Sequence, residues 1–157
     1  MSTRHANRKS TRSPARKPLA KEMLLPLPES ASRELALANH LTFVACKGSA
    51  GSAYLVNELI RMVYLTFYIQ DAGYGDTDLI VYARAESALE RCLTRAERDG
   101  AWQLDAHDAS LFEAILRQAD WQLDRAPCHC LIDARERLER FARSSRQSPL
   151  PAAAALQ

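Results

Sequence analysis

The chain has 157 residues, a length that fits one domain, and 47% of them are hydrophobic, as in ordinary soluble globular proteins. The longest apolar stretch, residues 54–69, is too short and too polar to span a bilayer, and no secretion signal is apparent, so we expect a cytoplasmic protein without membrane contact. The net charge of +2 is unevenly distributed, because residues 1–21 carry seven cations and no acid, whereas the rest carries 14 of the 21 cations and all 19 acids.

The first 21 residues form a basic segment with almost no apolar side chains. Burial therefore cannot offset the entropy cost of ordering them, and we predict a disordered arm. Its cations could neutralise phosphates and release counterions, so we predict contact with a nucleic-acid backbone. The alternative is a solvated arm that aids solubility. The seven cations are Arg4, Arg8, Lys9, Arg12, Arg16, Lys17 and Lys21.

Glycine and proline divide the remaining chain into five segments of helical periodicity. The segments are 29–47, 52–72, 76–99, 105–126 and 127–144, with no proline between Pro28 and Pro127. In the first segment the apolar repeat consists of Leu35, Ala38, Leu41 and Ala45. We predict an all-α, up-and-down bundle of about five helices over residues 22–144. The Ser-, Pro- and Ala-rich residues 145–157 are predicted to be a disordered tail.

The second segment is apolar on almost every face, which predicts a helix at the centre of the bundle. Asn57, Glu58 and Arg61 are polar groups in its first half, and their spacing of three and four residues allows them to interact. They are predicted to form a structural network, a solvated edge or the floor of a small-molecule pocket.

The connections between segments contain several helix-terminal signals. Lys47 precedes Gly48 and Gly51 and follows a helix, so this stretch is predicted to be a hinge and not a phosphate loop, with an anion site as the alternative. Gly48 and Gly100 are predicted C-terminal caps, and Ser49 or Ser52 the N-cap of the second helix. Asp105 is a predicted N-cap of the fourth helix, and Pro127 either begins a fifth helix or kinks a continuous one.

No residue pattern indicates catalysis. Cys128, His129 and Cys130 are potential metal ligands, but neighbouring residues on a helix point to different sides, so we expect reduced thiols and no metal site. None of the four histidines lies in a recognisable catalytic motif. We therefore expect a non-enzymatic protein without a cofactor.

Two stretches, "KPLAKEMLLPLP" (17–28) and "LANHLTFVACKGSAGSAYLVNELIRMVYLTFYIQDAGYGD" (37–76), together with the arginine-rich end, resemble small proteobacterial proteins of plasmids and accessory regions that are often labelled Fis-family transcriptional regulators. The resemblance implies DNA binding and regulation in the bacterial cytoplasm. Fis-type proteins end in a helix-turn-helix of two short helices. Residues 105–126 are too long for the first of these, so we assign no base-reading residue.

The sequence thus predicts a regulatory or nucleic-acid-associated binding module whose basic arm contacts phosphates. The alternative is a protein-interaction adaptor in which one face of the bundle binds a protein partner or a second copy in a homodimer.

Overall fold

The computed structural model describes residues 18–152 and contains no β-strand within that range. It shows the predicted all-α bundle of five helices, preceded by a 3-10 turn at Lys21–Leu24 and interrupted by another at Ala106–Asp108. The helices are α1 (Glu29–Lys47), α2 (Ala53–Asp71), α3 (Leu79–Asp99), α4 (Ala109–Arg125) and α5 (Cys128–Ala142).

Helix α2 lies at the centre of the bundle, as its composition predicts. It packs against each of the other four helices. Its C-terminal half is buried on nearly every side because α1, α3, α4 and α5 together leave little of it open to water. The buried apolar residues of α2 are Val56, Leu59, Met62, Val63, Tyr64, Phe67, Tyr68 and Ile69.

The stretch between α1 and α2 is a hinge, as predicted. The amide of Gly48 donates to the carbonyl of Val44 and closes α1, and the Ser52 hydroxyl accepts from the Leu55 amide at 3.3 Å as the N-cap of α2. The segment that precedes α4 packs on this hinge, because the Leu104 amide donates to the Cys46 carbonyl at 2.8 Å.

Asp105 does not cap α4, so that prediction is wrong. Helix α4 begins four residues later, and the Asp105 side chain makes no capping hydrogen bond. Its carboxylate instead accepts from Arg95 at 2.7 Å, while Asp108 accepts from Arg91 at 2.6 Å. Two arginines one turn apart on α3 therefore capture the acids, since charge-assisted bonds are stronger than those to neutral amides.

The structure decides how α4 joins α5 and where the described chain ends. Pro127 separates two helices, because α4 ends at Arg125 and α5 begins at Cys128. The prediction of a disordered tail is wrong for residues 145–152, which pack on the bundle because Leu150 is buried among the core residues. The disorder predicted for residues 1–17 and 153–157 lies outside the described residues.

A glutamine of α4 holds the turn between α2 and α3. The Gln118 side-chain oxygen accepts from the amides of Asp76 and Thr77 at 3.0 and 2.9 Å, and its nitrogen donates to the Tyr82 hydroxyl at 2.6 Å. Gly75 passes beside this amide with φ of 136°, and a Cβ there would lie 2.5 Å from the Gln118 side-chain carbon. The turn therefore requires glycine at this position for both conformation and space.

We expect Gly75→Ala to lower the free energy of unfolding by about 3 kcal/mol, because positive-φ strain and overpacking against Gln118 add. Gly73→Ala is the matched control, since Gly73 also has a positive φ of 98° but a Cβ added there would have no neighbouring atom within 4 Å. It should cost about 1 kcal/mol, from strain alone. Urea denaturation measures both values, and equal losses would contradict the role of Gln118.

Candidate functional site

Only the end of the predicted basic arm, residues 18–21, lies within the described residues. Six of its cations, from Arg4 to Lys17, lie outside the described residues, and Lys21 is exposed in the first 3-10 turn. This turn is fastened to the start of α5. The Cys128 amide donates to the Leu25 carbonyl at 2.8 Å, and His129 Nδ1 lies 3.0 Å from the Met23 carbonyl oxygen. Because a carbonyl only accepts, Nδ1 carries the proton.

Helix α5 presents a mixed surface with equal numbers of arginines and acids, and Arg143 and Arg146 follow its last residue. Arg140 and Arg143 lie 3.7 Å from Glu136 and Glu139, at exposed positions where ion pairs contribute little. Arg137 donates to Asp71 of α2 at 2.7 Å. Arg135 and Arg146 form no ion pair with any carboxylate between residues 18 and 152.

Asn57, Glu58 and Arg61, in the first half of α2, lie on a solvated edge. Glu58 and Arg61 form an ion pair with an N···O distance of 3.5 Å, and Asn57 is exposed beside them. None of the three lines any of five well-formed cavities on the described surface. Of the alternatives given by the sequence, the structure therefore places them at the solvated edge.

Cys128, His129 and Cys130, at the start of α5, are neighbours in sequence but do not direct their side chains at one point where a metal ion could bind. His129 Nε2 lies 3.5 Å from Cys130 Sγ, while its other nitrogen is engaged by Met23. Cys46 and Cys92 are fully buried elsewhere. Burial raises the pKa of the Cys46 thiol to about 11 and also raises the pKa of Cys92 and of Cys130, so these three are poor thiolates at neutral pH.

A different cluster brings three potential metal ligands together in the described part of the chain. Asp105, His107 and Asp108 place one ligand atom each within 4.8 Å of one another. Both carboxylates, however, already accept hydrogen bonds from Arg91 or Arg95. A cation would have to displace a guanidinium group, so this cluster acts as an ion-pair network between α3 and the start of α4.

Helix α1 packs on the core with a different face from the one that the sequence predicts. Its buried apolar side chains are Phe43 and Cys46, whereas Leu37, Leu41 and Val44 are exposed at 60%, 61% and 62%. The stacking of Phe43 on Phe112 of α4, with ring centroids 6.1 Å apart, is one of the contacts that fix this orientation. We call the exposed row of Leu37, Leu41 and Val44 the α1 stripe, because the three residues share one face at i, i+4 and i+7.

The sequence prediction also missed two glutamines on α4 that line cavities. Gln122 is 1% exposed, and its nitrogen donates to the carbonyls of Thr66 and Tyr74 at 3.0 and 2.7 Å. Its side-chain oxygen has no partner among the described residues and borders a cavity of about 80 Å³ between α1, α2, α4 and α5. Gln118 and Gln122 are four residues apart, so they lie on one face of α4, next to its buried apolar residues. This placement is the signal that could have identified them from the sequence.

Comparison of the chain with protein-family models, with characterised proteins and with solved structures gives no significant match. Among the described helices, none combines the length and the apolar character that crossing a membrane would require.

We expect one of the four thiols to react rapidly with a thiol reagent in the native protein at pH 8. Cys128 is the only one that is not buried in the described structure, and the raised pKa values of Cys46, Cys92 and Cys130 keep them protonated. Mass spectrometry after brief labelling should show one adduct, and Cys128→Ser should show none. Rapid labelling of Cys46 before denaturant is added would contradict the packing of α1.

Proposed function

We propose that this protein is a non-enzymatic, nucleic-acid-associated regulatory module of the bacterial cytoplasm. The observation that carries the proposal is the charge of residues 1–21, which hold seven cations and no acid. Such a segment binds a phosphate backbone through counterion release and with little sequence preference. The resemblance to proteins labelled Fis-family regulators supports a regulatory role.

The attachment of this segment supports the proposal further. The chain enters the described structure at Pro18 and is fastened to the first turn of α5 through Leu25 and Met23. Helix α5 also carries the exposed arginines Arg135, Arg140 and Arg143. The described residues that follow the basic segment are therefore held against the first turn of α5, the helix along which these arginines lie.

Replacement of all seven arm cations by Gln should strongly weaken binding to duplex DNA at low salt. Each phosphate contact contributes about 0.9 to the slope of log K against log salt, so this slope should become less steep by up to about 6. Fluorescence anisotropy with a labelled duplex at several salt concentrations measures both changes.

A control variant keeps the charge and changes only the side chain, with the four arm arginines Arg4, Arg8, Arg12 and Arg16 replaced by Lys. It should bind DNA nearly as the natural protein does, because backbone contacts need positive charge more than a particular cation. Equal DNA affinity of the natural protein and the Gln variant at low salt would refute the proposal.

A second candidate function is a protein-interaction adaptor that self-associates. The α1 stripe favours it, because three large aliphatic side chains about 60% exposed on one helix face are typical of a contact surface. The basic segment would then be incidental to function.

The double substitution Leu37→Ser with Leu41→Ser should abolish self-association without loss of stability, because both side chains are exposed. Sedimentation equilibrium should show a concentration-dependent dimer for the natural protein and for Tyr54→Ser, a control at an exposed residue of α2 outside the stripe. A natural protein that stays monomeric throughout the concentration series would exclude this candidate.

A further inference from the structure

The phenol of Tyr68 occupies an unusual environment. The residue is 6% exposed on the central helix, yet its hydroxyl makes no hydrogen bond within the part of the chain that the structure describes. By contrast, the buried hydroxyls of Tyr64 and Tyr82 donate to Glu86 at 2.6 Å and to Gln70 at 3.0 Å. The Tyr68 oxygen is not fully enclosed, so its donor remains available to a molecule that enters from solvent.

Three guanidinium groups surround this phenol. Arg137 stacks on the ring, with its central carbon 4.3 Å from the ring centroid, and Arg140 and Arg146 are also near enough to act electrostatically on the hydroxyl. Burial raises the pKa of Tyr68 and the arginines only partly oppose this, so the hydroxyl keeps its proton at neutral pH and can donate it in a hydrogen bond.

The arginines retain unused donors. Arg137 gives one bond to Asp71, Arg140 lies 3.7 Å from Glu136, and Arg146 pairs with no carboxylate among the described residues. A guanidinium carries five N–H donors, so most of those in the cluster remain free. With the Tyr68 hydroxyl they border a cavity of about 290 Å³ that contains no carboxylate in its lining.

We propose that this cavity binds the oxyanion of a small organic molecule, a phosphate monoester or a carboxylate. Arginine forks match the planar pairs of oxygen atoms in both groups, and the Tyr68 hydroxyl supplies a further donor from the floor of the cavity. A terminal phosphate offers three free oxygens to these donors, whereas a nucleic-acid phosphodiester offers two. The site therefore goes beyond the proposed nucleic-acid function and does not depend on it.

The neighbouring cleft indicates the remainder of the ligand. It measures about 690 Å³ and shares Arg137, Arg146 and Pro149 with the oxyanion cavity. Phe67 and Leu79 contribute apolar surface to its lining, which also contains Gln70 and the Asp71 carboxylate that pairs with Arg137. The C-terminal segment closes one side, because Pro149 is buried and Leu150 joins the core. An apolar or aromatic body attached to the oxyanion would lie in this cleft.

Isothermal titration of the full chain with phenyl phosphate, benzoate and inorganic phosphate tests the site. We expect phenyl phosphate or benzoate to bind, and phenyl phosphate to bind more tightly than inorganic phosphate because its ring can contact Phe67 and Leu79. Tyr68→Phe and Arg146→Gln should each weaken binding about tenfold, since each removes a donor to a charged group. Tyr54→Phe and Arg84→Gln, at exposed positions on α2 and α3, are the matched controls and should bind unchanged.

The outcomes separate the possible ligands and the two proposals. Preference for phenyl phosphate or for benzoate identifies the oxyanion and supports the site in either case. The variant with seven Gln substitutions in the basic arm should still bind the preferred probe, because the arm takes no part in this cavity. No binding of phenyl phosphate or benzoate, or equal affinity of the natural protein and Tyr68→Phe with unchanged helical content, would overturn the site.

Discussion

Helix α2 carries apolar side chains on nearly every face, so the other four helices have to lie against it to keep these side chains from water. The same burial creates a cost where the chain turns from α2 into α3, because backbone groups there lose contact with solvent. Gln118 and Gln122 of α4 meet this cost by bonding to Asp76, Thr77, Thr66 and Tyr74. These two glutamines of α4 thus serve the burial that the apolar character of α2 imposes.

The number of helices and most of their ends could be predicted from the sequence, since these features depend on local chemistry. Glycine and proline are rare between Pro28 and Pro127, and each group of them coincides with the end of a helix. Ser52 caps α2 with its own side chain, and Gly100 ends α3 with a positive φ of 70°. Neither feature needs a partner distant in the chain.

The rotation of α1 and the composition of the oxyanion cavity depend on contacts between residues far apart in sequence. The first helix has two apolar rows, and contacts with α4, among them the stacking of Phe43 on Phe112, decide that Leu41 faces solvent. The cavity joins Tyr68 of α2 with arginines of α5 and of the segment after it. Periodicity shows which residues share one helix face, but it does not show which faces of different helices meet.

The proposed roles of the two arginine-rich regions follow from how their charges are compensated. Two arginines of α3 are held by acids within the bundle, in the pairs of Arg91 with Asp108 and Arg95 with Asp105, and contribute mainly to packing. Residues 1–21 contain no acid that could compensate their seven cations. Arg146 likewise has no carboxylate partner between residues 18 and 152. Anions brought by a ligand are the partners that we propose for both regions.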